Sequence, residues 1–266
     1  MGTPIDNPGG AFPGAPSQEE WDQLSPSERR RVVDALPAAM TDAELAPPEG
    51  DPHFGAKSDA LETLRAYFAR LGRSVYVAAE LTIYYPGAPR FSPDVLAVLD
   101  VPVHERMKWV VSHEGRGLDW VLEVLVSGDR RKDLEENVRK YAALGIPEYF
   151  IYDRARMRLH AYRLPEVGAK SYVPIVGQAG RYASRVLGLE LVIEGVQLRF
   201  YHATAELLTP RGLAAKLEAM VEEVQRDAEE RVQREQERVQ REEERATLAE
   251  RRVVELLEEI DRLKKR

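Results

Sequence analysis

Between residues 52 and 208 the hydrophobic positions fall into short runs whose spacing changes along the chain. Leu61, Leu64, Phe68 and Leu71 recur at helical spacing with Gly72 just beyond, which predicts a helix over 53–71. Apolar runs at 75–84, 93–101, 120–126 and 148–152 predict strands. Between the last two, 131–144 reads as a helix stopped by Gly145 and Pro147. Helix, three strands, helix, strand is an α/β arrangement. Runs at 158–164, 171–176 and 189–201 predict further strands, added as hairpins at the sheet edge.

The flanks follow different rules. Pro4, Pro8, Pro13 and Pro16 punctuate a Gly-rich opening, which is expected to be disordered. Within residues 1–50, Ser27 is placed to cap a short helix over 28–36, with Val32, Val33 and Leu36 as its apolar side. That helix is expected to dock loosely. From Arg211 onward there is no aromatic residue and no proline. Val232, Val239, Ala246, Val253 and Ile260 recur every seven residues, and Ala249, Leu256 and Leu263 stand three further on. This a/d pattern is strongest over 246–263 and thin where Glu235 and Glu242 occupy d. It predicts a charged coiled-coil helix whose seam pairs two copies of the chain. The expected organisation is therefore 1–50, 51–210 and 211–266.

Composition narrows the chemistry. The chain has no cysteine, which excludes disulfides, thiol catalysis and any Cys-ligated zinc or iron–sulfur site. No stretch is long and apolar enough for a membrane span, and the opening lacks the basic flank and apolar run of a secretory leader, so the cytoplasm is the expected location. A net charge of -7 argues against nonspecific coating of nucleic acid, because neutralising phosphates needs surplus Lys and Arg. The histidines (His53, His104, His113, His160 and His202) lack close ligand spacing. Ser127-Gly128-Asp129 lacks the elbow of a serine nucleophile, and no Walker-type phosphate loop is present.

What remains is acidic. The strand over 93–101 opens with Pro93-Asp94, and Glu123 interrupts the apolar strand over 120–126. A carboxylate inside an apolar strand is costly to bury unless it is paired or binds a metal. Two such acids on neighbouring strands can converge on one divalent cation. Mg²⁺ suits them, since it accepts one or two carboxylates plus waters and phosphate oxygens. On spacing alone a solvated strand edge is the commoner arrangement. Glu80, expected to share a strand face with Tyr76, Ala78 and Thr82, is a candidate third acid. Arg130, Arg131 and Lys132 are candidate contacts to a nucleic-acid backbone, or a solvated run. Asp133 complements the start of its helix in either case.

The stretch Pro93-Asp94-Val-Leu-Ala-Val, then Leu122-Glu123-Val124-Leu125, then Asp133-Leu134, then Tyr141-Ala-Ala-Leu-Gly145-Ile-Pro-Glu-Tyr149-Phe-Ile-Tyr-Asp153 resembles the Uma-two family of restriction-endonuclease-like proteins, within the PD-(D/E)xK nuclease superfamily. The resemblance covers about residues 53–208. It implies a central four-stranded mixed sheet flanked by helices, with Asp94 and Glu123 as metal-binding acids and the Val124 carbonyl as a further ligand. Two departures stand out. The superfamily lysine two residues after the second acid is here Leu125, and the alternative lysine of many family members, on the following helix, is here Asn137. Asn137 can hydrogen-bond a water or a phosphate but supplies no cation. Lys140, nearly on the same helix face, and Lys108, in a predicted strand over 107–111, are the candidate replacements. The expected activity is a Mg²⁺- or Mn²⁺-dependent nuclease, DNA favoured over RNA, with paired protomers cutting two strands. The alternative is a binding or assembly protein that keeps the fold without turnover and acts through its coiled coil.

Overall fold

The computed structural model describes residues 14–44, 50–127 and 130–264. The chain divides into two compact units, Met1–Pro210 and Arg211–Arg266. The first opens with α1 (Gln18–Gln23), α2 (Pro26–Ala35) and α3 (Gly50–Arg70), followed by β1 (Val75–Ala78), β2 (Thr82–Tyr84), β3 (Val95–Leu99), β4 (Lys108–Val110), the single-turn α4 (Val111–Glu114) and β5 (Trp120–Leu125). A π-helical turn, Lys132–Glu136, then runs into α5 (Asn137–Leu144) and β6 (Glu148–Asp153). β7 (Arg158–Arg163), β8 (Val173–Pro174), β9 (Arg181–Ser184), β10 (Leu189–Glu194), β11 (Gln197–His202) and β12 (Ala205–Leu207) complete it.

The main sheet has six strands in the order β1-β3-β5-β6-β7-β8, two more than the four expected. Only β5 and β6 run parallel in it, as the crossover through α5 requires; the other neighbours are antiparallel. The sheet is mixed. β7 and β8 extend its edge, whereas 189–201 does not: Gly195, at φ 57°, folds it into the β10–β11 hairpin of a separate sheet, β12-β11-β10-β9. The run 75–84 also breaks. Glu80 adopts a left-handed φ of 52°, so β1 pairs with β3 while β2 leaves to pair in parallel with β4. The expected common face of Tyr76, Ala78, Glu80 and Thr82 therefore ends at this kink.

β5 explains where the core sits. Leu122 and Val124 face one side with Leu64 and Phe68 of α3 and Phe200 of the second sheet; Val121 and Leu125 face the other with Trp109, Tyr141 and Ile151. A strand covered on both faces reads as a continuous apolar run, and its single acid is thereby conspicuous.

The N-terminal segment is firmer than its composition suggests. Pro4, Pro8 and Pro13 lie outside the described residues. Helix α2 starts two residues before the expected one, because Ser25 rather than Ser27 forms a capping box with Glu28, and Pro26 takes the first turn, where its missing N–H costs nothing. Leu36 and Ala15 pack on Tyr84 and Val110. The Tyr84 hydroxyl donates to the Pro37 carbonyl at 2.8 Å, and the Thr82 hydroxyl to the Ala38 carbonyl at 2.7 Å. Arg90 grips Glu44 bidentately at 2.6 and 2.7 Å, which holds that carboxyl at about 2, below its usual 4.5. A depressed folded pKa means the stabilisation is complete above pH 4.5 and is lost as pH falls toward 2. Amide protection across residues 14–44, corrected for the intrinsic pH dependence of exchange, is expected to fall over that window in the parent and not in Glu44→Gln.

In the second unit α6 (Pro210–Lys264) is one uninterrupted helix, with Val232, Val239, Val253, Leu256, Ile260 and Leu263 exposed on it. Among the described residues no helix is long and apolar enough to cross a membrane.

Candidate active site

Strand register brings the two acids together. β3 and β5 pair Val95 with Leu122, so Asp94, one residue before the ladder, stands opposite Glu123. The two are clasped reciprocally. The Asp94 amide donates to Oε2 of Glu123 at 3.1 Å, and the Val124 amide donates to Oδ2 of Asp94 at 2.8 Å. His53, in the first turn of α3, places Nε2 at 3.0 Å from the same Asp94 oxygen. Tyr141 of α5 donates its hydroxyl to Oε1 of Glu123 at 2.8 Å.

Burial sets the electrostatics. Glu123 is only 7% exposed, and its carboxyl is pushed well above the usual carboxylate range, first by burial and then by the charges of Asp94 and Asp133. Tyr141 is pushed up as well, by burial and by Glu123. Half-buried Lys140 is lowered to about 8 by burial, which the attraction of Glu123 partly offsets. Its Nζ sits 4.3 Å from the Phe91 ring centroid, a cation–π contact that holds it on this side of the sheet. Lys132 lies within electrostatic reach of both Glu123 and Lys140.

The other candidates sort unevenly. Asn137, buried, donates to Oδ1 of Asp133 at 2.9 Å, a pairing across the π-helical turn. Glu80 does not join the pair: its side chain is 66% exposed and ion-paired with buried Lys57. Lys108 donates to the Leu36 carbonyl and so anchors the N-terminal segment instead of serving Glu123. Arg130 pairs with Asp153, which is fully buried. Arg131 is exposed and lies 3.7 Å from Glu135 and 3.8 Å from Glu136. Gly128 and Asp129 of the Ser127-Gly128-Asp129 run lie outside the described residues. Sequence reasoning missed His53, Tyr141 and Lys57. His53 and Lys57 share a helix face at i, i+4, but that spacing does not say which strand the face meets.

The donor set discriminates between metals. Two neighbouring carboxylates offer hard oxygen donors, which suit a cation that keeps most of its waters. Among the described residues no group of three or more His, Asp or Glu is arranged to hold a metal, so these residues do not build a zinc cage.

A family model described as "Putative restriction endonuclease", Uma2, matches residues 42–199, more than half of the chain. The chain belongs to the Uma2 family. Asp94, Glu123, Asn137 and Lys140 all fall within the Uma2 match, whereas α6 lies outside it. A crystal structure of a "putative nuclease belonging to DUF820" from Anabaena variabilis matches at 16% identity and a TM-score of 0.45, over 57% of this chain and 83% of that one. No curated protein matches the chain.

Proposed function

We propose that this chain is a Mg²⁺- or Mn²⁺-dependent nuclease acting on DNA in the cytoplasm, its cation held by Asp94, Glu123 and the Val124 carbonyl. The observation that carries this reading is the reciprocal clasp between buried Glu123 and half-buried Asp94. The charge of Asp94 beside buried Glu123 raises the proton affinity of Glu123, and a shared cation relieves that repulsion. When bound, the cation would supply Lewis-acid stabilisation of the phosphate charge and an activated water.

The remaining roles belong to side chains. Tyr141 fixes one oxygen of Glu123 and His53 fixes one of Asp94, so neither carboxylate is free to rotate away. Lys140 supplies the cationic donor that Leu125 and Asn137 do not, orienting a water or a phosphate oxygen. Lys132, exposed and within electrostatic reach of Glu123, is the side chain best placed for a phosphate backbone, while exposed Arg131 would have to exchange its pairing with Glu135 and Glu136. Arg130 is a weaker candidate because Asp153 already engages it.

Lys140 gives the reading a pH signature. With a value of about 8, it is mostly charged at pH 7 and loses its proton as pH rises through 8. Cleavage is expected to fall over that limb, and Lys140→Met to flatten it while lowering the rate roughly 10²-fold or more, the usual scale for a positioned catalytic group. An unchanged profile in the variant would remove Lys140 from the chemistry.

The direct test is cleavage of plasmid, single-stranded DNA and RNA with Mg²⁺ and Mn²⁺, run beside Glu123→Ala. Cation-dependent cleavage that the substitution abolishes supports the assignment; cleavage that survives unchanged overturns it. The second reading, a binding protein on the same fold, rests on Leu125 and Asn137 standing where the family places lysine. It predicts no cleavage under any cation.

A further inference from the structure

We infer that α6 associates with a second copy of itself as a parallel, in-register coiled coil, an orientation dictated by charge and independent of the nuclease reading. With Val232, Val239, Ala246, Val253 and Ile260 at a, the flanking positions follow from the heptad. Arg238, Arg245 and Glu259 fall at g, and Glu243, Glu250 and Lys264 at e. In a parallel pair each g residue meets the e residue five positions on in the partner. The meetings are then Arg238 with Glu243, Arg245 with Glu250 and Glu259 with Lys264, opposite charges every time. An antiparallel pair sets g against g and e against e. Over 238–250 that brings arginine to arginine and glutamate to glutamate.

The rest of the helix agrees. Glu230–Arg234 and Glu237–Arg241 pair within the helix at 3.4 Å each, and all four lie at c and f, on the face turned away from the seam. The outer face is thus neutralised internally, while g and e carry charges that complement another copy. Arg252 at g meets Leu257 at e, where its methylene stem can cover the leucine. The seam residues Val253, Leu256, Ile260 and Leu263 are exposed in the single helix, and a partner's equivalent layers are what would cover them. Glu235 and Glu242 at d weaken the upstream half. Each has an arginine three residues on, Arg238 and Arg245, and the first of these pairs is formed at 2.7 Å. The grip is therefore tightest over 246–263.

Upstream, Leu213, Leu217, Met220 and Val224 are also exposed at helical spacing. They reach the Val232 frame through two successive four-residue steps, Val224 to Ala228 to Val232, one residue more than the heptad allows, which locally unwinds a supercoil. The in-register pairing belongs to the part of α6 after it.

The absence of native cysteine makes the test clean. Ala249→Cys and Leu263→Cys, made separately in the full chain, place single thiols at two d layers about 21 Å apart along the helix. Equivalent core positions of in-register parallel helices share a layer, within the ~4.4–6.8 Å Cα span that a disulfide bridges. Glu244→Cys, at f, is the collision control. Under mild oxidation both d variants are expected to form covalent dimers at least tenfold faster than the control. An antiparallel pair permits rapid bridging at one layer at most, so a single fast variant overturns the inference. Rates equal to the control, or a full-length chain that sediments as a monomer at micromolar concentration, overturn it too. A charge check is independent of thiols. Arg238→Glu with Arg245→Glu should weaken dimerisation about tenfold or more, and adding Glu243→Arg with Glu250→Arg should restore it.

Discussion

Asp94→Asn is expected to reduce cation-dependent cleavage by more than about a hundredfold while leaving the fold intact. The substitution keeps an oxygen that can accept from the Val124 amide, so the β3–β5 clasp persists. What it removes is the negative charge. Side chains that merely orient metal ligands typically cost 10–100-fold when mutated, so a carboxylate that touches the cation should exceed that range. His53 then loses its acidic partner as well, and the cation site is reduced to Glu123 and a carbonyl. Initial rates on plasmid with Mn²⁺, with circular dichroism as the folding control, check this. A variant within a few-fold of the parent would move the cation to residues other than Asp94.

Glu123→Gln is expected to do the same to activity and to change how stability depends on pH. The folded carboxyl has a raised proton affinity, so its favourable contribution is complete below the unfolded value near 4.5 and is lost as pH rises through the folded one. Above the pH at which the folded carboxyl ionises, in chelator, the parent carries a buried charge beside Asp94 that the amide lacks. The Tyr141 hydroxyl can still donate to the glutamine oxygen, while the Asp94 amide loses its acceptor. The melting temperature of the variant relative to the parent should therefore be lowest near pH 4 and climb as pH rises, at about 2–4 °C per kcal/mol for a protein of this size. Adding Mn²⁺ should raise the parent's melting temperature, by about 2.7 kcal/mol of stabilisation at a hundredfold excess over Kd, and leave the variant unmoved. A difference that does not change with pH would mean that the buried Glu123 charge costs the parent nothing.

The parts of this fold that sequence exposes are those whose pattern has one structural solution. β5 and β6 are covered on both faces and read as apolar runs, and an acid inside such a run has few structural excuses. That is why Glu123 and its neighbour across the ladder, Asp94, could be named before any coordinates. The heptads of α6 are legible for a similar reason, since seven-residue spacing suits a helix and little else. The misses come from features that hydrophobicity does not encode. The kink at Glu80 is a backbone conformation, so 75–84 looked like one strand and Glu80 like a third acid. Lys108 looked available because its acceptor, the Leu36 carbonyl, belongs to a Pro-rich segment that composition marks as loose. That segment is instead fastened by Arg90, Thr82 and Tyr84, through long-range polar contacts with no local signature. His53 shows no ligand spacing along the chain because its partner, Asp94, lies 41 residues away.

One cation shared by Asp94 and Glu123 is the centre of the proposed site, and direct titration with Mn²⁺, followed by electron paramagnetic resonance of the free ion, measures it most plainly. The full chain is expected to take up one Mn²⁺ per protomer at pH 8, and both Asp94→Asn and Glu123→Gln to lose that uptake. Binding by either folded variant with the parent's stoichiometry and affinity would contradict the shared site.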